Sequence, residues 1–324
     1  MRTAILLITA LVSAIVLPAL ASAQVQTVIV VVGAPGNTEY AAQFAKWAGD
    51  WEQACSKSEA AFLAIGLDDE EDLSDRVRLE KILSEQSQQT AAFWLVLIGH
   101  GTFDGRTAKF NLRGPDISAN DLTRWLKPIS RPVAVINTAS SSAPFLKQLS
   151  APERVIITAT KSGFEQNYAR FGQYLAEAII APEADLDKDG QTSLLEAFLT
   201  ASHRTNQFYA TAGRLATEHA LLDDNGDALG TPADWFRGIR PVQRASDNAS
   251  LDGYRAHQFH LRHSEAEARI PVSLRAKRNQ LELEVMKLRD AQAQIPEETY
   301  FSRLETLLVE IARVYETIKE PNGT

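Results

Sequence analysis

The amino-acid sequence predicts an α/β fold, a three-layer sandwich on a mainly parallel sheet with a C-terminal helical hairpin. Apolar, β-branched runs alternate with segments of helical periodicity, which is the pattern of a parallel sheet with helices on its faces. These apolar runs lack polar–apolar alternation, as expected for strands that are buried on both faces. Near the C-terminus the apolar residues recur at heptad-like intervals, which is typical of packed helices.

Five predicted strands are separated by helical segments. The strands are 27–32, 61–65, 92–98, 133–136 and 155–159. Helix-capping residues precede the first two helical segments, which are 38–61 after Asn37 or Thr38 and 75–85 after Ser74. Residues 116–126 are expected to form a turn and then a helix.

Polar residues follow three of these strands directly. His100 follows the third strand, the segment 137–142 follows the fourth, and Lys161 follows the fifth. In parallel sheets the carboxyl ends of the strands share one edge, and ligands bind there. We therefore expect these residues to lie along one rim of the sheet.

The later part of the chain is predicted to be helical at both ends and irregular between. Helical periodicity covers 171–179, 194–199 and about 206–219, and 231–248 has the composition of a loop. His257, His260 and His263 are spaced by three and would bind a transition metal on a helix. No Cys or carboxylate set accompanies them, so we expect a solvated His-rich face instead.

The C-terminal apolar residues predict an antiparallel helical hairpin with coiled-coil packing. Pro296 separates its two helices. The hairpin is expected either to dock on the domain or to mediate self-association of two chains. The spaced residues are Leu274, Leu281, Val285 and Leu288 in the first helix, and Phe301, Leu304, Leu308, Ile311, Tyr315 and Ile318 in the second.

The N-terminus predicts export. Residues 1–23 have a basic Arg2, an apolar stretch and an Ala-Ser-Ala cleavage pattern, as in a secretory signal peptide. We expect a mature chain from Gln24, periplasmic or secreted, with no stable membrane anchor; an uncleaved anchor is the alternative. The predicted domains are an α/β domain over 24–248 and a helical extension over 249–324.

Composition excludes some classes of partner. The formal net charge is −8, and no dense Lys/Arg patch is present, which argues against nucleic acid. The single Cys55 cannot form an internal disulfide and is expected to be a half-buried structural residue.

Residues 185–196 (DLDKDGQTSLLE) match the twelve-residue calcium loop of an EF-hand. Ca²⁺ takes six to eight oxygen ligands, and Gly190 would allow the sharp turn that the loop requires. The alternative is an acidic surface turn that Ser193 caps. The predicted ligands are the carboxylates of Asp185, Asp187 and Asp189, the Gln191 carbonyl, Ser193 directly or through water, and both carboxylate oxygens of Glu196.

A second acidic turn follows at 223–234. Asp223, Asn225 and Asp227 are spaced like ligands 1, 3 and 5, and Asp234 falls at position 12. Ala228 occupies the position where a calcium loop needs Gly. An Asx-rich turn is therefore favoured over a second ion.

Four segments in this order resemble a family. GHGTFDG, INTASSSAPF, TATKSGFEQNYARF and DLDKDGQTSLLEAF are similar to segments of caspase-fold, legumain-like cysteine peptidases, in particular an exported bacterial subgroup. The resemblance covers about 24–236. It implies a caspase-like sheet, a catalytic His after one strand, and a nucleophilic Cys at the end of the next.

The resemblance assigns the His position to His100 and the Cys position to Ala139, which has no nucleophile. Cys55 lies in the wrong element. Two functions follow as hypotheses: a non-catalytic calcium-binding module for a protein or peptide, or a hydrolase in which Ser140 attacks with His100 as base. In a third possibility, calcium only braces a fold whose role lies in the hairpin.

Overall fold

The computed structural model describes residues 25–68, 73–247 and 249–319. The predicted signal peptide, 1–23, lies outside the described residues. No helix within those ranges is long and apolar enough to cross a bilayer.

A seven-stranded sheet forms the centre of the molecule. All six residues of each of the two strands Thr27–Val32 and Phe93–Ile98 are buried, as their continuous apolar sequences predict. From one edge the strands are β2 (Ala61–Ile65), β1 (Thr27–Val32), β3 (Phe93–Ile98), β7 (Val133–Asn137), β8 (Arg154–Thr158), β9 (Leu221–Asp223) and β10 (Thr231–Pro232). The first five are parallel, and β9 and β10 are antiparallel to their neighbours.

Helices cover both faces of this sheet and confirm the three-layer α/β architecture. One apolar cluster lies under α1 (Thr38–Ser58), α5 (Phe171–Ala178) and α6 (Leu194–Thr211). A second cluster, on the other face, lies under α2 (Asp75–Gln86), α3 (Ala119–Leu126) and α4 (Ala143–Leu149). Cys55 lies in the first cluster and is fully buried, with its pKa raised to about 12 by desolvation, so it is structural as predicted but not half-exposed.

A small antiparallel sheet that was not predicted from the sequence follows His100. It consists of β4 (Gly101–Phe103), β5 (Ala108–Phe110) and β6 (Ile117–Ser118). Glycine is required where it begins, because a Cβ on Gly101 would lie 2.1 Å from the Ser140 carbonyl oxygen.

The predicted helix at 206–219 is confirmed only over 206–211 and is wrong beyond it. Helix α6 continues from Leu194 to Thr211, and no helix follows over 212–220. Gly213 follows the C-cap of this helix with a φ of +62°, which favours glycine, and Arg214 N–H donates to the Tyr209 carbonyl. Residues 231–247 are mostly irregular as expected, with the hairpin of β11 (Phe236–Arg237) and β12 (Arg240–Pro241).

The C-terminal helices form the predicted hairpin. After α7 (Tyr254–His257) and α8 (Glu265–Ala268), helix α10 (Glu297–Lys319) packs along α9 (Val272–Asp290). The predicted extension starts at residue 249, but Ala256, Phe259 and Leu261 are buried in the first apolar cluster. The chain therefore belongs to the domain core through about residue 261.

Candidate functional site

The acidic loop, residues 185–196, lies between two helices, as its sequence predicts. Helix α5 ends at Ala178, a short 3₁₀ turn covers Pro182–Ala184, and α6 begins at Leu194. The two helices pack on each other. The loop is therefore held at both ends by buried elements.

Three carboxylates converge inside this loop. Asp185, Asp187 and Asp189 each offer an oxygen, and these oxygens lie within 4.8 Å of one another. Asp185 Oδ1 is buried and accepts no hydrogen bond. Burial, followed by the negative charges of Glu196 and Asp189, raises the pKa of Asp187. A hard cation with oxygen ligands would satisfy the unpaired oxygen and offset the repulsion.

The backbone of the loop is shaped around these side chains. Gly190 adopts a φ of +88°, a conformation that favours glycine. Its N–H donates to Asp185 Oδ2 at 3.2 Å, Asp189 N–H donates to Asp187 Oδ1 at 3.2 Å, and Gln191 N–H donates to Asp189 Oδ1 at 3.0 Å. These turns point the three carboxylates toward the loop centre.

Glu196 has a different role in this structure from the one expected of it. Its buried carboxylate accepts from Leu186 N–H at 2.7 Å and Asp187 N–H at 3.2 Å through Oε1. Oε2 accepts from the N–H and the hydroxyl of Ser193, both at 2.8 Å, in a capping box that starts α6. The four acceptor positions of the carboxylate are thus filled by the protein. The structure brings together the three Asp carboxylates, while Ser193 and Glu196 cap the helix.

A segment far along the chain covers the loop. His257 Nε2 lies 3.4 Å from Asp187 Oδ2, and its Nδ1 lies 3.3 Å from the Ser193 hydroxyl. Leu194 N–H donates to the Phe259 carbonyl at 2.8 Å, and Ser264 N–H donates to the Gln191 side chain at 3.2 Å. No local pattern in the sequence indicated this contact.

The second acidic turn is an Asx-rich turn. Asp223 ends β9, and its carboxylate accepts from Gly226 N–H at 3.0 Å and Ala228 N–H at 3.1 Å. Asp227 likewise accepts from Leu229 N–H at 2.8 Å. Across the described ranges, the acidic loop is the only group of three or more Asp, Glu, His or Cys side chains with converging ligand atoms.

His100 lies at the rim, at the end of β3, in an aromatic pocket. Its Nε2 is 3.2 Å from the Pro35 carbonyl oxygen, so this nitrogen donates. Its ring centre lies 4.8 Å from that of Tyr40, 5.1 Å from that of Phe44 and 6.2 Å from that of Tyr168. Burial lowers the pKa of His100, which favours the neutral ring.

Ser140 is buried and bonded to the backbone. Its hydroxyl donates to the Gly101 carbonyl at 3.1 Å and accepts from Gly101 N–H at 3.2 Å. No hydrogen bond joins Ser140 to His100 in the described part of the chain. Ala139, at the position that the resemblance assigns to Cys, is buried. Asp104 accepts from Arg106 and Thr107 N–H groups in its own turn, so it does not orient His100.

Ser141 is a rim residue that sequence reasoning did not single out. Its φ is +55°, and its buried hydroxyl has no hydrogen-bond partner. Its N–H donates to the Glu165 carbonyl at 2.8 Å, and the Glu165 carboxylate lies 2.6 Å from His219 Nδ1. The run of three serines was the only sequence signal for it.

The comparisons with known proteins address the fold alone. No protein-family model and no curated protein matches the chain. Among solved structures, the chain is similar to the crystal structure of the Drosophila initiator caspase Dronc, with 13% identity and a TM-score of 0.42. The match covers 62% of this chain and 80% of that one. At this TM-score the likeness carries no argument about activity.

Proposed function

We propose that the protein is an exported, calcium-binding α/β module, related to caspase-fold and legumain-like peptidases, that binds a protein or peptide without cleaving it. One observation carries the proposal: three carboxylates converge in the acidic loop, and a buried oxygen of Asp185 has no partner. Export rests on the signal-peptide pattern of residues 1–23.

The loop fits Ca²⁺ by the chemistry of its donors. Asp185, Asp187 and Asp189 are hard oxygen ligands, and the Gln191 carbonyl follows at the position that supplies a main-chain ligand in such loops. Glu196 would complete the shell only by exchanging some of its N–H partners for the ion. Extracellular calcium modules bind at about 10⁻⁴–10⁻³ M, and such an ion stabilises the folded state by mass action.

Residues at the rim support the proposed binding of a protein or peptide. Phe164 is 74% exposed and packs edge-on against Phe103, with ring centres 5.1 Å apart. Lys161 is exposed, and the Glu165–His219 pair lies beside it, since Lys161 N–H donates to Glu165 at 2.9 Å. An exposed aromatic among charged groups, at the edge where parallel sheets bind ligands, suits a peptide with an apolar side chain.

Calcium titration tests the first half. We expect heat from Ca²⁺ binding in calorimetry and a melting temperature that rises with millimolar Ca²⁺. Asp185→Ala should abolish both responses. Glu183→Ala is the matched control, because Glu183 is an exposed acidic residue next to the loop that pairs with Arg204 instead. No heat and an unchanged melting curve across millimolar Ca²⁺ would contradict the proposal.

A serine-directed fluorophosphonate probe tests the absence of catalysis. We expect no labelling, because the Ser140 hydroxyl is buried and bonded to Gly101 and does not contact His100. Labelling of Ser140 that is lost in His100→Ala would establish the hydrolase alternative.

Self-association through the hairpin is a second candidate role. Phe301, Leu308 and Tyr315, spaced seven apart on α10, are 53%, 49% and 40% exposed, so an apolar stripe faces outward. We expect analytical ultracentrifugation to show a dimer that Leu308→Glu converts to a monomer, while the exposed Thr306→Glu does not. A wild-type monomer at high concentration would remove this candidate.

A further inference from the structure

A large cleft lies at the end of the sheet opposite the rim. Its volume is about 840 Å³, within the range of small-molecule sites. Gln26 and Ala92, which precede β1 and β3, line one wall, and Arg275 on α9 lines another. His260 and His263 line it from the segment that connects the domain to the hairpin.

The ring of His260 presents an unpaired nitrogen. Its Nε2 is buried and has no hydrogen-bond partner. Metal-binding histidines coordinate through one ring nitrogen and typically donate the other to a carbonyl or carboxylate.

His263 presents a second unpaired nitrogen beside it. Its Nδ1 is buried without a partner, and its ring centre lies 5.7 Å from that of His260. Two imidazoles that share one Zn²⁺ at about 2.0–2.1 Å from each nitrogen place their ring centres roughly 5–6 Å apart. The structure gives these two residues half-buried positions in the cleft, each with one buried ring nitrogen, rather than the solvated face that was expected.

The third histidine is engaged elsewhere. The ring centre of His257 lies 6.4 Å from that of His260, and its two nitrogens face Asp187 and Ser193. Among the described residues no further Asp, Glu, His or Cys completes a three-ligand cluster with His260 and His263. A metal here would have two protein ligands and positions open to the cleft.

Charged side chains of both signs surround the two imidazoles. Arg275 and Arg278 add positive charge near His263, and Glu267 offsets it through a bidentate pair with Arg278 at 2.6 and 2.9 Å. Asp189 adds negative charge near His260.

We propose that His260 and His263 bind one divalent transition metal of the zinc class at the edge of this cleft, with its remaining positions open to water or to a ligand in the cleft. Imidazole suits Zn²⁺, Co²⁺, Ni²⁺ and Cu²⁺, whereas Ca²⁺ takes oxygen, so the site is independent of the acidic loop.

Titration with Co²⁺, followed by its visible absorption and then by displacement with Zn²⁺, tests this site in the purified protein. Millimolar Ca²⁺ is kept present so that the acidic loop does not contribute. We expect one equivalent to bind, and His260→Ala and His263→Ala each to raise Kd by at least about tenfold, since even outer-shell partners of metal sites contribute 10–100-fold. His203→Ala is the matched control, because His203 is exposed on α6.

Two further measurements keep the test decisive if a variant is unstable. Imidazole ¹⁵N spectra of the wild type should show Zn²⁺ shifting His260 Nε2 and His263 Nδ1 but not the His203 ring. Asp185→Ala should bind Co²⁺ as the wild type does, which separates this site from the calcium loop. Absence of bound metal, or binding that survives in folded His260→Ala, would overturn the proposal.

Discussion

The carboxyl rim and the acidic loop carry polar side chains in opposite states of pairing. At the rim, His100 contacts the Pro35 carbonyl and Ser140 bonds to the Gly101 backbone. In the loop, three carboxylates face one another, and Asp185 Oδ1 is buried without a partner. A buried polar atom left unpaired is unfavourable unless a ligand completes it. Pairing, rather than residue type, therefore separates the loop from the rim as a ligand site.

Ser141 and Asn137 are exceptions at the rim, since the Ser141 hydroxyl and the Asn137 side-chain nitrogen are also buried and unpaired. These two neutral groups differ from the loop in having no converging charges. Both residues are 1% exposed, so a substrate could reach them only after the rim opened.

The largest expected effect is that of Glu196→Ala. This change leaves the N–H groups of Leu186, Asp187 and Ser193 without their carboxylate, so we expect a loss on the order of 3 kcal/mol in the free energy of unfolding. Urea denaturation in a calcium chelator measures it.

Asp185→Ala is the control for this prediction. It removes one long hydrogen bond, from Gly190, and relieves carboxylate repulsion, so its stability without calcium should stay within about 1 kcal/mol of wild type. Equal stability of Glu196→Ala and wild type in chelator would show that Glu196 is a free ligand rather than a helix cap.

A smaller effect is expected from Ser140→Ala at the rim. Losing the two bonds to Gly101 should lower the free energy of unfolding by about 1–2 kcal/mol while leaving the calcium response unchanged. Ser162→Ala, on the same rim, loses only one hydrogen bond, from Phe164 N–H at 3.1 Å, so its effect should be about half that of Ser140→Ala. If Ser140→Ala leaves the free energy of unfolding unchanged, the hydroxyl is free, and this result would support the hydrolase alternative.

The smallest effect concerns the buried pair of Asp224, which follows β9, and Asp252, which precedes α7. Burial and the neighbouring Asp224 raise the pKa of Asp252, and burial raises the pKa of Asp224. A raised pKa means that the folded state retains a proton which the unfolded state has lost. The protonated pair therefore contributes fully to the free energy of unfolding below about pH 4. This contribution declines as the pH rises through the raised folded pKa.

Asp252→Asn removes this titration and can donate an amide hydrogen to Asp224. We expect the free energy of unfolding of the variant to exceed that of the wild type by on the order of 1 kcal/mol at pH 8. This difference should disappear near pH 4. Asp234→Asn, an exposed neighbour, is the control. Parallel pH profiles of unfolding for Asp252→Asn and wild type would contradict the assignment.

Residue patterns predicted the helices and strands around the site more reliably than they predicted the hydrogen bonds within it. The strand at 27–32, the loop between two helices and the position of His100 at a strand end all followed from periodicity and spacing. The missed antiparallel sheet after His100 has strands of two or three residues, too short for alternation to be visible. The misplaced helix at 206–219 arose because α6 does not break where its apolar pattern weakens.

The Ser193-x-x-Glu196 pattern shows why the role of Glu196 was open. The same residues satisfy a capping box and positions 9 and 12 of a calcium loop, so the sequence is compatible with both motifs. The fold assigned Glu196 to three backbone N–H groups.

By itself, the sequence determined the five parallel strands of the central sheet, the spacing of the loop carboxylates and the absence of a thiol at Ala139, because local periodicity and residue identity are sufficient for these. Only the tertiary structure decided that Ser140 bonds to Gly101, that His257 covers the acidic loop and that His260 and His263 each bury one unpaired ring nitrogen. Each of these depends on the approach of segments 39 or more residues apart, or on burial by a distant helix, and such contacts leave no local pattern in the chain.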